Sequence, residues 1–174
     1  MVDIVKELVG NKTILQYIPS AKYSTVLTTN AKKLAKKNVC YVTISKTFSA
    51  LDADFKKKGV NVKNIIFIDA ISKTIIEKPD QTDRCYYVTS PSALTELSLV
   101  ISKFLRHDFD YIVFDSLSNL MVYHKKGPLL KFINNLINKV KGSKTQAIFY
   151  AVSGGATSDL IKQCETFVDK AITA

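Results

Sequence analysis

Short apolar runs, separated by segments of helical periodicity, organise this chain. The clearest run, Tyr111-Ile112-Val113-Phe114, passes directly into Asp115. An apolar run without alternation marks a strand buried on both faces, as in parallel sheets. Comparable runs occupy residues 13–18, 39–44, 65–68 (ending at Asp69), 85–88 and 147–152. Between them, apolar residues recur at helical spacing over 2–9, 21–37, 47–58, 90–106 and 128–140. The last of these is the most regular, with Leu129, Leu130, Phe132, Ile133, Leu136, Ile137 and Val140 on one face. Ser20, Thr47 and either Thr157 or Ser158 stand where helix N-caps belong, and Pro91 and Pro128 suit first helical turns. Gly10, Gly59 and Gly142 close helices, and Gly154-Gly155 forms a turn. Residues 70–83 are polar and contain Pro79, which predicts a long loop with at most a turn of helix. A short helical turn is expected over 119–123, a final helix to about Phe167, and an edge strand in 168–174. Strands alternating with helices predict an α/β fold: three αβα layers around a mostly parallel sheet with right-handed crossovers. Without repeat, low-complexity tract or linker, residues 1–174 read as one domain.

An acid at the carboxyl end of a buried strand stands where open α/β sheets bind ligands. In P-loop hydrolases such an acid holds magnesium. The other half of that site needs glycines, whose amides wrap the phosphates, and a Lys followed by Ser or Thr. Its place, directly after the first strand, reads Tyr17-Ile18-Pro19-Ser20-Ala21-Lys22-Tyr23-Ser24-Thr25. That stretch has no glycine, Pro19 removes an amide, and Gly-Lys occurs nowhere in the chain. A residual nucleotide site would therefore consist of Lys22, Ser24, Thr25 and Asp115. The alternative for Asp115 is structural: a helix N-cap, or a carboxylate paired with Lys22 or an amide. Asp69 has the same geometry on another strand. On neighbouring strands, Asp69 and Asp115 would form a small acidic cleft with one raised pKa.

The order of segments resembles the RecA-like P-loop NTPase core of the archaeal KaiC-type and flagellar-accessory ATPases. The matching features are the strand 39–44 followed by a helix, the apolar strand ending in Ile68-Asp69, and the Walker B-like strand with its Asp115-Ser116-Leu117 continuation. The helix 129–140, the strand 146–152 and the Phe167-Val168-Asp169-Lys170-Ala171-Ile172 ending also match. The resemblance covers nearly the whole chain, but active members end the second strand in acids, one of which activates water. Here it ends Ile44-Ser45-Lys46. The resemblance is to a small variant lacking the Walker A loop, which implies a pseudo-ATPase with no catalytic residue and no cofactor. Mg-ATP is the alternative. Such a domain would act as a regulatory, signalling or assembly partner, through a protein partner or self-association.

Charge adds a third class. The net charge is +10, with 25 Lys or Arg against 15 Asp or Glu. That excess favours acidic partners, nucleic acid among them, although only two arginines, Arg84 and Arg106, are present for specific phosphate recognition. The three cysteines, Cys40, Cys85 and Cys164, lack metal-ligand spacing and suit a reducing, cytoplasmic setting. His107 and His124 have no partner at triad or metal spacing. No apolar run reaches the length of a membrane span.

Overall fold

The computed structural model describes residues 1–154 and 158–174. The expected turn and cap at Gly155, Thr157 and the Ser158 side chain lie outside the described residues. Seven strands form one sheet: β1 (Thr13–Ile18), β2 (Val39–Thr43), β3 (Ile65–Asp69), β4 (Cys85–Tyr87), β5 (Tyr111–Asp115), β6 (Gln146–Val152) and β7 (Lys170–Thr173). Their order is β4-β3-β2-β5-β6-β1-β7, and every pair is parallel. The most continuous apolar runs become the central strands. Every residue of β2 and β5 is buried, whereas the edge strand β7 is mostly exposed.

Helices cover both faces. Because side chains alternate along a strand, Tyr41, Phe67, Val113 and Ile148 meet α1 (Ile4–Glu7), α2 (Tyr23–Leu34) and α3 (Phe48–Lys57) on one face. Cys40, Val42, Phe114 and Phe149 meet α5 (Leu94–Phe104), α6 (Leu117–Leu120), α7 (Lys126–Lys141) and α8 (Ser158–Glu165) on the other. The remaining helical turn, α4 (Ser72–Ile75), lies in the predicted long loop. The expected three-layer α/β architecture is the observed one.

Several boundaries differ from expectation. Ser20 does not cap α2; it opens a 3-10 turn, Ser20–Lys22, and α2 begins at Tyr23 without a side-chain cap. Pro91 precedes α5 by a turn, while Thr89 N–H donates to Glu96 Oε2 at 3.1 Å across the helix start. Pro128 is the third residue of α7, still within the first turn, whose N–H groups have no intrahelical acceptor. The helical turn expected over 119–123 lies earlier, because Ser116 caps it through Asn119 N–H at 3.3 Å. Gly59 adopts φ +74° after α3, as a helix-closing glycine does. Asp169 secures the edge: its Oδ2 accepts Lys12 and Thr13 N–H at 2.8 and 2.9 Å, and its Oδ1 lies 3.0 Å from Lys141 Nζ.

Ile133, fully buried on α7 against the sheet, tests this packing. Ile133→Ala is expected to cost about 2–5 kcal/mol, read as a lower urea midpoint at unchanged m-value.

Candidate functional site

The carboxyl ends of β1, β2, β3 and β5 meet at one end of the sheet, and the loops leaving them carry the sequence-predicted residues. Asp115 ends β5 and is 1% exposed. The peptide to Ser116 is cis. Its carboxylate is closed by two tyrosines. Tyr23 Oη, from the first residue of α2, donates to Oδ1 at 2.5 Å, and Tyr41 Oη, from β2, donates to Oδ2 at 2.8 Å. The placement of Tyr41 follows from register. Thr43 is opposite Asp115 in the β2–β5 ladder, so Tyr41, two residues earlier, shares its face on the diagonal.

Burial pushes the Asp115 carboxyl above the ordinary carboxylate range, while the two tyrosine hydroxyls and the Lys46 charge oppose that rise. Burial, followed by the Asp115 charge, raises the Tyr23 and Tyr41 hydroxyls. On the same sheet face, Asn30 Nδ2 donates to Gln16 Oε1 at 2.8 Å and to Tyr150 Oη at 3.0 Å. Gln16, Asn30, Tyr41, Tyr150 and Asp115 are all buried. The result is a polar, hydrogen-bonded layer beneath α2.

The other nucleotide candidates lie outside this layer. Lys22, Ser24 and Thr25 are exposed. Ser24 Oγ accepts from Lys58 Nζ at 2.7 Å, and the same amine lies 2.8 Å from Asp54 Oδ2. Lys22 is not the partner of Asp115; its neighbour Tyr23 is. Tyr23 and Tyr41 were legible only as apolar-face residues, and no local signal marks their hydroxyls as carboxylate donors.

Asp69 and Asp115 do not share a cleft. β2 lies between β3 and β5, so the two acids flank Thr43 in one register row. That separation is roughly 10 Å at two strand spacings. Asp69 is filled by its own donors: Phe48 N at 2.6 Å, Ser72 Oγ at 2.5 Å, Ile71 N at 2.7 Å and Ser72 N at 2.8 Å. It joins the start of α3 to the turn after β3.

His124 Nε2 lies 2.8 Å from the Pro91 carbonyl, and His107 is exposed. Among the described residues, no group of three His, Cys, Asp or Glu side chains could hold a metal ion. All three cysteines are free and buried, and burial raises Cys85 and Cys164 to about 12 and about 11. No helix among the described residues is long and apolar enough to cross a membrane.

Two measurements test the layer. Tyr41→Phe leaves a buried carboxylate oxygen without its donor and is expected to cost about 1–3 kcal/mol in urea unfolding. The raised Asp115 pKa gives a definite sign. Its contribution is fully present below the ordinary value of 3.8 and is lost as pH rises through the folded-state value. The unfolding free energy of Asp115→Asn minus that of wild type should therefore rise with pH from 3.8 and then level off. A difference that falls over that range contradicts the assignment.

No protein-family model matches the chain, and no curated protein matches it. Among solved structures, the KaiC-like protein PH0186 from the hyperthermophilic archaeon Pyrococcus horikoshii OT3 is similar, with TM-score 0.61 and 12% sequence identity. The match covers 83% of this chain and 62% of that one, so this chain spans less than two thirds of its neighbour's length. At that identity the likeness is one of fold: a RecA-like α/β core, with the parallel sheet and flanking helices described above.

Proposed function

We propose that this chain is a RecA-like domain that does not hydrolyse ATP. It acts as a regulatory, signalling or assembly element, by binding a protein partner or another copy of itself. The observation that carries this reading is the closure of Asp115 by Tyr23 and Tyr41. Magnesium requires near-octahedral oxygen ligands at about 2.0–2.1 Å and keeps several of its waters. Here both carboxylate oxygens are engaged by hydroxyl groups, and the residue is 1% exposed. The first residue of α2 is a tyrosine reaching that acid, in the segment where a phosphate loop would present backbone amides. The end of β2 has no acid to orient water; its Thr43 Oγ1 instead donates to the Lys46 carbonyl at 2.7 Å.

Support for a partner-binding role comes from the β4 side of the sheet. Ile75 and Ile76 are exposed there, with Ile76 lining a groove of about 490 Å³ between α3 and the 76–82 segment, and Tyr86 is exposed on the opposite sheet face, against Phe104. β4 is also a sheet edge, able to accept a further strand. The three buried free thiols fit a reducing, cytoplasmic compartment.

Thermal melts with millimolar Mg-ATP and Mg-ADP, paired with a phosphate-release assay, test the non-catalytic part. The expected result is an unchanged Tm and no release. Ligand at a hundredfold over its Kd would add about 2.7 kcal/mol, several degrees for a domain of this size, and such a shift would restore the nucleotide-binding reading. Self-association is read by size-exclusion chromatography with light scattering, and Tyr86→Glu at the β4 edge is expected to weaken any dimer.

A further inference from the structure

Part of the chain's lysine excess gathers at the opposite end of the sheet from Asp115. The amino ends of β2, β5, β6 and β1 are consecutive in the sheet. They frame an open hollow of about 610 Å³, lined by Lys12, Lys37, Lys144, Asn11, Asn38 and Phe109 among others. A smaller hollow of about 290 Å³, lined by Lys33 and Lys36, shares Lys37 and Tyr111 with it. Four strands side by side span roughly 14 Å, so the lysines form a band rather than a point.

Lys12, Lys36 and Lys144 make no ion pair among the described residues. Lys33 pairs with Asp3 at 3.1 Å, and Lys37 is 3.9 Å from Asp110. Asp110 is further occupied by Asn38 N–H at 3.0 Å. Asp108 is the opposing exposed acid. The half-buried Phe109 ring and the side chains of Asn11 and Asn38 complete the lining; each amide Nδ2 donates one N–H to a carbonyl, that of Glu7 at 2.8 Å and that of Asp108 at 3.4 Å, which leaves its second N–H and its oxygen. Phe109 stacks on Phe104 at 5.7 Å, which holds its ring in place.

We propose that this amino-end band binds single-stranded nucleic acid, with Lys12, Lys36 and Lys144 on the phosphates and Phe109 and the amide side chains offered to the bases. Basic grooves with aromatic and amide groups suit unpaired strands, whose bases are free to stack and hydrogen-bond. An anionic membrane fits less well. The lining is mainly Lys, Asn and Asp, and of the large exposed apolar residues only Val9 adjoins a lining residue, Gly10, in sequence among the described residues. The band is remote from Asp115 and independent of whether nucleotide binds there.

The test is fluorescence anisotropy of a labelled 20-nucleotide oligo-dT with the full chain between 50 and 200 mM KCl. Three to four lysine–phosphate contacts predict a slope of log K against log salt of about −2 to −3. Lys12→Gln/Lys36→Gln/Lys144→Gln should flatten that slope by about 2. The matched carboxyl-end variant, Lys22→Gln/Lys73→Gln/Lys125→Gln, should leave it nearly unchanged. All six lysines are exposed or half-exposed, and an unchanged Tm confirms that both variants fold. A duplex of equal length should bind more weakly. No binding at 50 mM KCl, an equal effect of the carboxyl-end variant, tighter duplex binding, or binding only to phosphatidylserine vesicles would each overturn the proposal.

Discussion

A carboxylate at the end of a central strand must find hydrogen-bond donors where water does not reach, and this constraint shapes the carboxyl end of the sheet. An ionised carboxylate left alone in such a place costs many kcal/mol, so it is either neutralised or given donors. Asp115 receives two donors, from a strand two residues out of register and from the first residue of a helix. Tyr23, which makes the second of these bonds, is the first residue of α2. The aromatic bodies of both tyrosines belong to the same hydrophobic layer as Phe55 and Phe67, so each side chain fills core volume and satisfies a buried charge together. The donors to Asp115 are side chains of the chain itself.

The other buried or half-buried acids follow the same logic with different outcomes. Asp69 joins the turn after β3 to the start of α3 through backbone N–H groups and Ser72. Asp52 takes Arg84 at 2.7 Å and Lys56 at 2.6 Å, which hold its carboxyl low against the opposing effect of burial. Asp169 ties β7 to β1 through Lys12 and Thr13. Acids near strand ends are thus spent on positioning segments, and the lysines left without acids accumulate on the surface. That division links the satisfied interior to the basic rim: among the described residues Lys33 and Lys37 find Asp3 and Asp110, while Lys12, Lys36 and Lys144 make no ion pair.

How much could be read in advance depended on the range of the interaction. Burial on both faces produced apolar runs, so β2, β5 and β6 were legible to within a residue. The α7 stripe from Leu129 to Val140 was equally plain, because a helix against a sheet needs one apolar face. Helix starts were less legible. Ser20 and Pro91 carry the right local chemistry, yet the chain uses them in turns: α2 begins at Tyr23, which bonds the distant Asp115, and α5 begins at Leu94, three residues after Pro91. The lack of glycine in residues 17–25, directly after β1, was plain from the sequence alone.

The sequence by itself determined the alternation of strand and helix, the RecA-like order of elements, the missing glycines after β1 and the excess of lysine, since all of these are local or compositional. Strand order, and with it the meaning of Asp69 and Asp115, was decided only by the tertiary structure. Two acids that look equivalent along the chain are separated by β2, each with its own donors. Tyr23 and Asp115 are 92 positions apart, and a hydrogen bond between such residues leaves no periodic trace, because it depends on which strands become neighbours and not on spacing along the chain.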